Sequence, residues 1–298
     1  MSIDDVTLHG VTPANLSDHL DRFAALYDEA GVVILPGFFS ADPTYAWLER
    51  DLKRLTVELA AWAGLSLDET QPLDRMVGDL ARQRRDLVGK IYDVGTRPNK
   101  LLSGMSLKLH PALIEMVSAV FGSAGVLATP ALSDTLHVFP PGKDSYRFNL
   151  PLHQDYPYLL QSPNQVTFWI SLSAKYQDVG GMSVWRGSHK LGIRPHVRDA
   201  AGHLETYVDD LDLSAYEEIR CEADRGDLVV FHTNILHRSE KNFTDTETRI
   251  VQLFRFSDLF DTEARRIRWA NADVNPKAPK FEEIYAERIM ERGEAGAA

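Results

Sequence analysis

Near residue 130 the spacing of apolar residues switches from a helical to a strand-like repeat, and few architectures accommodate both halves. Before that point, Leu20, Phe23, Ala24 and Tyr27 recur every three or four residues, with Ser17 or Asp18 placed to cap the helix. Trp47, Leu48, Leu52, Leu55, Leu59 and Trp62 repeat the pattern between Pro43 and Gly64. Residues 74–94 and 111–121 predict further helices. One strand interrupts them, Gly31-Val32-Val33-Ile34-Leu35, ended by Pro36-Gly37. After residue 130 the period is two. Val166, Phe168, Ile170 and Leu172 alternate with Thr167, Trp169, Ser171 and Ser173, as in a strand buried on one face. Leu228 to His232 and Arg249 to Phe256 also read as strands. Turn signals separate them, among them Asp178-Val179-Gly180-Gly181 and Arg225-Gly226-Asp227. Short strands punctuated in this way suggest a sandwich or small barrel.

No internal repeat or Pro/Ser/Gly linker divides the chain, so the expectation is one domain over residues 1–298. Residues 1–130 would supply helical cover and a lead-in strand, 131–260 a β core, and 261–298 a charged amphipathic helix (281–292) and tail. A chain of 298 residues can bury an ample core without covalent staples.

Composition narrows the function classes. The 43 acidic against 32 basic residues give a net charge of −11, which argues against a general nucleic-acid binder. Cys221 is the single cysteine, so neither an intrachain disulfide nor a thiolate zinc cluster can form. The N-terminal MSIDDVTLHG lacks the basic and apolar regions of a signal peptide. The most apolar stretch, 113–132, contains Glu115, Gly122, Gly125 and Pro130, and reads as a helix end and turn rather than a bilayer span. A cytoplasmic protein without membrane or nucleic-acid partners is the expectation, and oligomeric state is not readable. The chain has no G-x-G-x-x-G after a strand, no phosphate-binding lysine loop and no H-E-x-x-H helix.

What it does have is His153-Gln154-Asp155. On a strand, residues i and i+2 share a side, so an imidazole and a carboxylate would converge. A third ligand is available from His232 or His237. Two histidines and one carboxylate on one face of an octahedron leave three positions open, the arrangement of non-haem Fe(II) oxygenases. Taken alone, such a tripeptide is equally a surface pair.

Several blocks occur in order and spacing over residues 20–257. They are Ala30-Gly31-Val32-Val33-Ile34-Leu35-Pro36-Gly37, Val166 to Leu172, Gly180-Gly181-Met182-Ser183-Val184-Trp185-Arg186-Gly187-Ser188-His189-Lys190 and Gly226-Asp227-Leu228-Val229-Val230-Phe231-His232. His237-Arg238-Ser239 and Arg249, twelve residues beyond His237, complete the set. Together they resemble the phytanoyl-CoA dioxygenase family. The resemblance implies a double-stranded β-helix (jelly-roll, cupin-like) with N-terminal helices packed on it. It also implies Fe(II), O2 and 2-oxoglutarate as co-substrate, with succinate and CO2 released as a substrate C–H bond is hydroxylated. By position it assigns His153, Asp155 and His237 to iron, and Arg249 and Ser239 to the distal carboxylate of 2-oxoglutarate. Trp169 would wall that pocket. Because Asp155 is a carboxylate where halogenating relatives carry a small residue, hydroxylation is favoured over halogenation.

Competing assignments stay open at this point. His232 competes with His237, and Arg255, which shares strand parity with Arg249, competes as the co-substrate anchor. Trp169 is equally explained as core packing. The substrate, a small or medium metabolite, is not identified. Between Val179 and Arg198 the chain carries Arg186, Lys190, Arg194 and Arg198 and no acid, which suggests a positive cleft mouth for an anionic substrate or, equally, a solvated loop. Tyr156, Tyr158 and His137 are further substrate candidates. Residues 199–223 have no assignment and suggest a lid or an oligomer contact. A cupin-type metal-dependent lyase or isomerase, and a non-catalytic binding barrel, are the rival functions, because such barrels host both.

Overall fold

A computed structural model describes residues 3–96, 101–122, 127–129, 134–141, 150–175, 178–198, 204–207, 211–271 and 279–290. Its centre is a pair of antiparallel sheets. The larger runs β1 (Val32–Leu35), β9 (Leu228–His232), β4 (Gln165–Ser171) and β11 (Arg249–Asp258), with β2 (Leu127–Ala128) and β3 (Asp134–Phe139) both pairing along the far side of β11. The smaller is β10 (His237–Ser239), β5 (Met182–Trp185) and β8 (Glu218–Cys221). A bridge between His153 and His237 adds one more chain segment beside β10. Two opposed antiparallel sheets joined by long crossovers form the jelly-roll.

The period-two pattern sorts the large sheet's side chains into two cores. Val166, Phe168, Ile170, Leu228, Val230, Ile250, Phe254 and Phe256 face outward into a cluster shared with the helices. Trp169, Val229, Phe231, Val251 and Leu253 face inward, against Met182, Val184 and Ile219 of the small sheet. Both sides of the large sheet are therefore buried, so β4, expected to be buried on one face, is buried along its whole length, Thr167 and Ser171 included.

The cover consists of α1 (Leu20–Ala30), α2 (Pro43–Trp62), α3 (Leu73–Gln83), α4 (Arg85–Thr96), α5 (Leu102–Lys108) and α6 (Pro111–Phe121). Phe23, Leu48, Leu52, Val77, Leu80, Leu113 and Val117 are buried against the outward sheet face. Each such side chain contributes about 1.5–3 kcal/mol relative to exposure. Polar contacts fix the register of helix on sheet. Tyr45 Oη donates to Ser171 O at 2.8 Å, and Tyr27 Oη to Gln165 O at 3.2 Å. Lys108 pairs with buried Asp134 at 2.7 Å, and Arg225 spans Glu49 and Asp74 at 2.6 and 3.3 Å.

Three sequence expectations shift. α1 begins one residue after a 3-10 turn over Leu16–His19, so neither Ser17 nor Asp18 caps it. The single helix expected over 74–94 is two, broken at Arg84 in a non-helical conformation. The run Gln83-Arg84-Arg85 offers no apolar side to bury, and the break lets α4 lie against β3. After a short α8 (Thr262–Arg266), the helix expected over 281–292 shortens to α9 (Phe281–Ile284) and a 3-10 turn over Ala286–Arg288. Tyr285 leaves helical geometry with its hydroxyl 2.7 Å from that of Tyr156 and 2.6 Å from Glu263, and Met290 N–H then donates to His196 O. Residues 291–298 lie outside the described residues. The unassigned stretch after residue 198 supplies β7 (Leu204–Thr206), paired with β6 (His196–Arg198), and β8 at the edge of the small sheet.

Candidate metal centre

The site forms where the segment Leu150–Asp155 runs beside β10. His153 N–H donates to His237 O at 2.9 Å, and His237 N–H returns a bond to His153 O at 3.0 Å. Directly opposed residues of an antiparallel pair stand about 5.5 Å apart at Cα, so their side chains lie side by side. The two imidazole centroids are 4.1 Å apart. Asp155 does not reach them by strand parity, as the sequence spacing suggested. The chain turns instead, and Asp155 has helical dihedrals as the residue before α7 (Tyr156–Leu159), its N–H held by Thr233 O at 2.9 Å.

Each imidazole is oriented from behind. His153 Nδ1 lies 2.7 Å from Pro151 O and His237 Nδ1 3.0 Å from Ile235 O. With Nδ1–H donating to those carbonyls, both rings present an unprotonated Nε2 inward, the tautomer that metal ligation needs. Asp155 Oδ1 is 3.6 Å from each Nε2. The three ligand atoms lie within 4.8 Å of one another and all three residues are buried. Adjacent ligands of an octahedral ion with bonds of about 2.1 Å are about 3 Å apart, so a small contraction would seat a metal. Burial holds His237 down to about 3, helped by neighbouring His153, which keeps the ring neutral for ligation. Burial alone would raise the Asp155 carboxyl. The Arg255 guanidinium overcomes it and holds the group far below the usual carboxylate range.

Arg249, at the start of β11, is also buried, at 3% exposure. Its Nη1 donates to Glu240 O at 2.9 Å, its guanidinium lies 3.8 Å from the Phe139 ring centroid, and its Nε is buried without a hydrogen-bond partner. Burial pushes this group down to about 9. Among the described residues no carboxylate is paired with this buried guanidinium, and its Nε–H lacks a partner. Gly180 makes room for it. Its φ is +74°, and a Cβ there would lie 2.7 Å from Arg249 Nη1 and 2.5 Å from Lys241 O.

The other candidates fall into two groups. Trp169 faces the barrel interior with Val251 and Leu253. Ser239 lies two residues along β10 from His237, next to the Glu240 carbonyl that holds Arg249. The Tyr158 ring packs edge-on to His153 at 5.7 Å, and His137 sits on the inward face of β3 opposite Val251. Burial, then Arg255, holds His137 down to about 3. Tyr156 packs in a separate cluster with Leu160, Phe281 and Tyr285. His232 is on the opposite face of the sheet, where its Nδ1 accepts from Asn234 N–H and its ring lies 5.3 Å from His189. Arg186 faces Glu29, Glu217 and Asp5 at 3.1, 3.6 and 3.8 Å. The positive segment is thus offset at Arg186 by acids distant in sequence, which local charge counting cannot see. Arg255, the competing co-substrate anchor by parity, is paired with Asp155, its Nε and Nη2 both 2.9 Å from Oδ2. Gln154, between the two ligand residues, went unread in the sequence. Its amide donates to Asn234 O and Gly192 O at 2.6 and 2.8 Å and accepts from Arg194 N–H at 2.9 Å, tying three loops behind the site.

Comparison with known proteins places this geometry. The family model for phytanoyl-CoA dioxygenase matches residues 27–251. A 1-deoxypentalenic acid 11-beta-hydroxylase from Streptomyces arenae is 28% identical over 237 residues, covering 75% of this chain and 74% of the relative. Phytanoyl-CoA dioxygenase 1 of Oryza sativa subsp. japonica is 27% identical over 176 residues, 56% of this chain and 58% of its own. Among solved structures, the epimerase SnoN with Fe3+, alpha ketoglutarate and nogalamycin RO superposes with a TM-score of 0.55 at 16% identity, covering 81% of this chain and 84% of its own. EctD from S. alaskensis, with 2-oxoglutarate and 5-hydroxyectoine, gives 0.51 at 16% identity over 80% and 76%. At these identities the structures speak for the shared jelly-roll fold. The family match covers most of the chain, and the chain accordingly belongs to the phytanoyl-CoA dioxygenase family of Fe(II)- and 2-oxoglutarate-dependent oxygenases.

Proposed function

We propose that this protein hydroxylates a C–H bond of a small or medium metabolite, with His153, Asp155 and His237 holding Fe(II) and Arg249 and Ser239 receiving the distal carboxylate of 2-oxoglutarate. The observation that carries the assignment is the convergence of two Nε2 atoms on one carboxylate oxygen in a buried site. The unsatisfied guanidinium of Arg249 in the same barrel is its complement. When bound, the iron and co-substrate supply an oxidant from O2 as 2-oxoglutarate is decarboxylated to succinate and CO2, one oxygen atom going to succinate and the other to the substrate.

The chain's own residues do the rest. The Pro151 and Ile235 carbonyls fix the two rings, Trp169, Val251 and Leu253 keep water from the interior, and Arg249 orients the co-substrate by its far end. The apolar inward face supports a substrate whose reacting carbon is uncharged, contacted from the sides by Tyr158 and His137. The offset of Arg186 by three carboxylates withdraws its support for an anionic anchor at that position. We read the chain as one catalytic domain, because the helices and the large sheet share a single core. No helix among the described residues is long and apolar enough to cross a membrane. The lone cysteine supports a cytoplasmic setting.

Anaerobic titration with Fe(II) and 2-oxoglutarate tests the assignment. A weak visible charge-transfer band is expected, abolished by His153→Ala or Asp155→Ala, with succinate formed on admitting oxygen. A folded protein that gives neither band nor succinate removes the reading.

A further inference from the structure

Asp155 has two carboxylate oxygens, and the fold treats them differently. Oδ1 points at the two imidazoles, 3.6 Å from each Nε2. Oδ2 receives Arg255 Nε and Nη2, each at 2.9 Å, with Thr167 Oγ1 at 3.5 Å. Thr167 and Arg255 are cross-strand partners on β4 and β11, and Thr135 of β3 accepts from Arg255 Nη1 at 3.4 Å. Three adjacent strands thus hold one guanidinium on one oxygen. A carboxylate oxygen has about two lone-pair directions, so two short charge-assisted bonds and a third contact leave Oδ2 no capacity for a metal.

Resting on the metal assignment above, we propose that Arg255 is a positioning residue that makes Asp155 a one-oxygen ligand and so sets how many positions on the iron stay open. Three protein atoms on an octahedral ion leave about three positions, enough for a chelating 2-oxoglutarate and one for O2. Were Asp155 to bind through both oxygens, about two would remain and the co-substrate would fill them. Arg255 also distinguishes the two buried arginines of β11 by their partners. Arg255 is held on a protein carboxylate, whereas Arg249 has backbone carbonyls, an aromatic face and an orphaned Nε.

The test uses the full-length protein loaded with Mn(II) alone, in which water proton relaxation counts the exchangeable waters on the metal. Arg255→Gln removes the charge and the fork, and Arg255→Lys keeps the charge but loses the fork. Circular dichroism and thermal melting verify folding, and if the Gln variant does not fold the Lys variant decides. The expected result is a fall of about one third in the relaxation enhancement per bound Mn(II), from about three waters to about two. A folded variant whose enhancement equals the parent's overturns the proposal. The metal assignment fails separately, if the parent takes up no Mn(II) or takes it up undiminished after His153→Ala.

Discussion

Replacing Arg249 with leucine separates what this residue costs the empty protein from what it does for the co-substrate. Leucine removes one full hydrogen bond from a charged donor, at 2.9 Å to Glu240 O, and a longer one at 3.4 Å to Val179 O. Together these contribute about 2–3 kcal/mol. It also removes a cation–π contact at 3.8 Å on Phe139, worth about 1–2 kcal/mol when desolvated. Against this, it removes a buried charge whose desolvation costs several kcal/mol, and a buried Nε whose missing partner costs about 1–3 kcal/mol. These terms nearly cancel, so the empty variant should melt within about 3 °C of the parent. The co-substrate response should differ sharply. At about one hundred times its Kd, 2-oxoglutarate stabilises the parent by about 2.7 kcal/mol, or roughly 4 °C at this chain length. The variant should show almost none of that shift. The assay is thermal melting with Mn(II), with and without 2-oxoglutarate, under nitrogen. A variant more than about 3 kcal/mol less stable when empty, or one that keeps the parent's shift, would refute the argument that Arg249 is buried for an absent carboxylate.

Other outcomes follow from the same structure. Tyr156→Phe breaks the hydroxyl chain to Tyr285 and Glu263 and should lower stability by about 1–2 kcal/mol in chemical denaturation while leaving the 2-oxoglutarate KM unchanged. A rise in that KM would return Tyr156 to the site. Arg186→Ala should cost at most about 1 kcal/mol, because the carboxylates around it are partly exposed, and should leave turnover at low salt as it was. Acid should destabilise the fold well above the carboxylate range. Burial holds His232 and His137 down to about 3 and His196 to about 4, so each is neutral when folded and gains a proton only on unfolding below the ordinary value near 6.5. The stability these groups carry is complete above that value and is lost as pH falls toward the folded values. Between pH 7 and 5.5 each should contribute about 1 kcal/mol of loss, read from urea midpoints. A flat profile over that interval would contradict the burial of these rings.

The sequence by itself determined the sheet and the ligand types. Alternation at Val166 to Ser173 and the apolar runs at 228–232 and 249–256 are local signals, because a strand's period is written in consecutive residues. The large sheet appears within two residues of those bounds. His153 and Asp155 could be named from their motif and His237 from the family resemblance, yet none of these brings the three together. Their meeting depends on one antiparallel bridge and one turn, in residues more than eighty positions apart. Local patterning missed the break at Arg84, the early end of α9 and the acids that surround Arg186. In each case the deciding partner lies far along the chain: β3 for α4, Tyr156 for Tyr285, Glu29 and Glu217 for Arg186. The two arginines of β11 make the same point. Strand parity treats them alike, and only the family resemblance favours Arg249 over Arg255. Only the fold brings Asp155 Oδ2 to Arg255 and leaves Arg249 buried on backbone carbonyls, because which charge meets which in a dry interior is a property of packing.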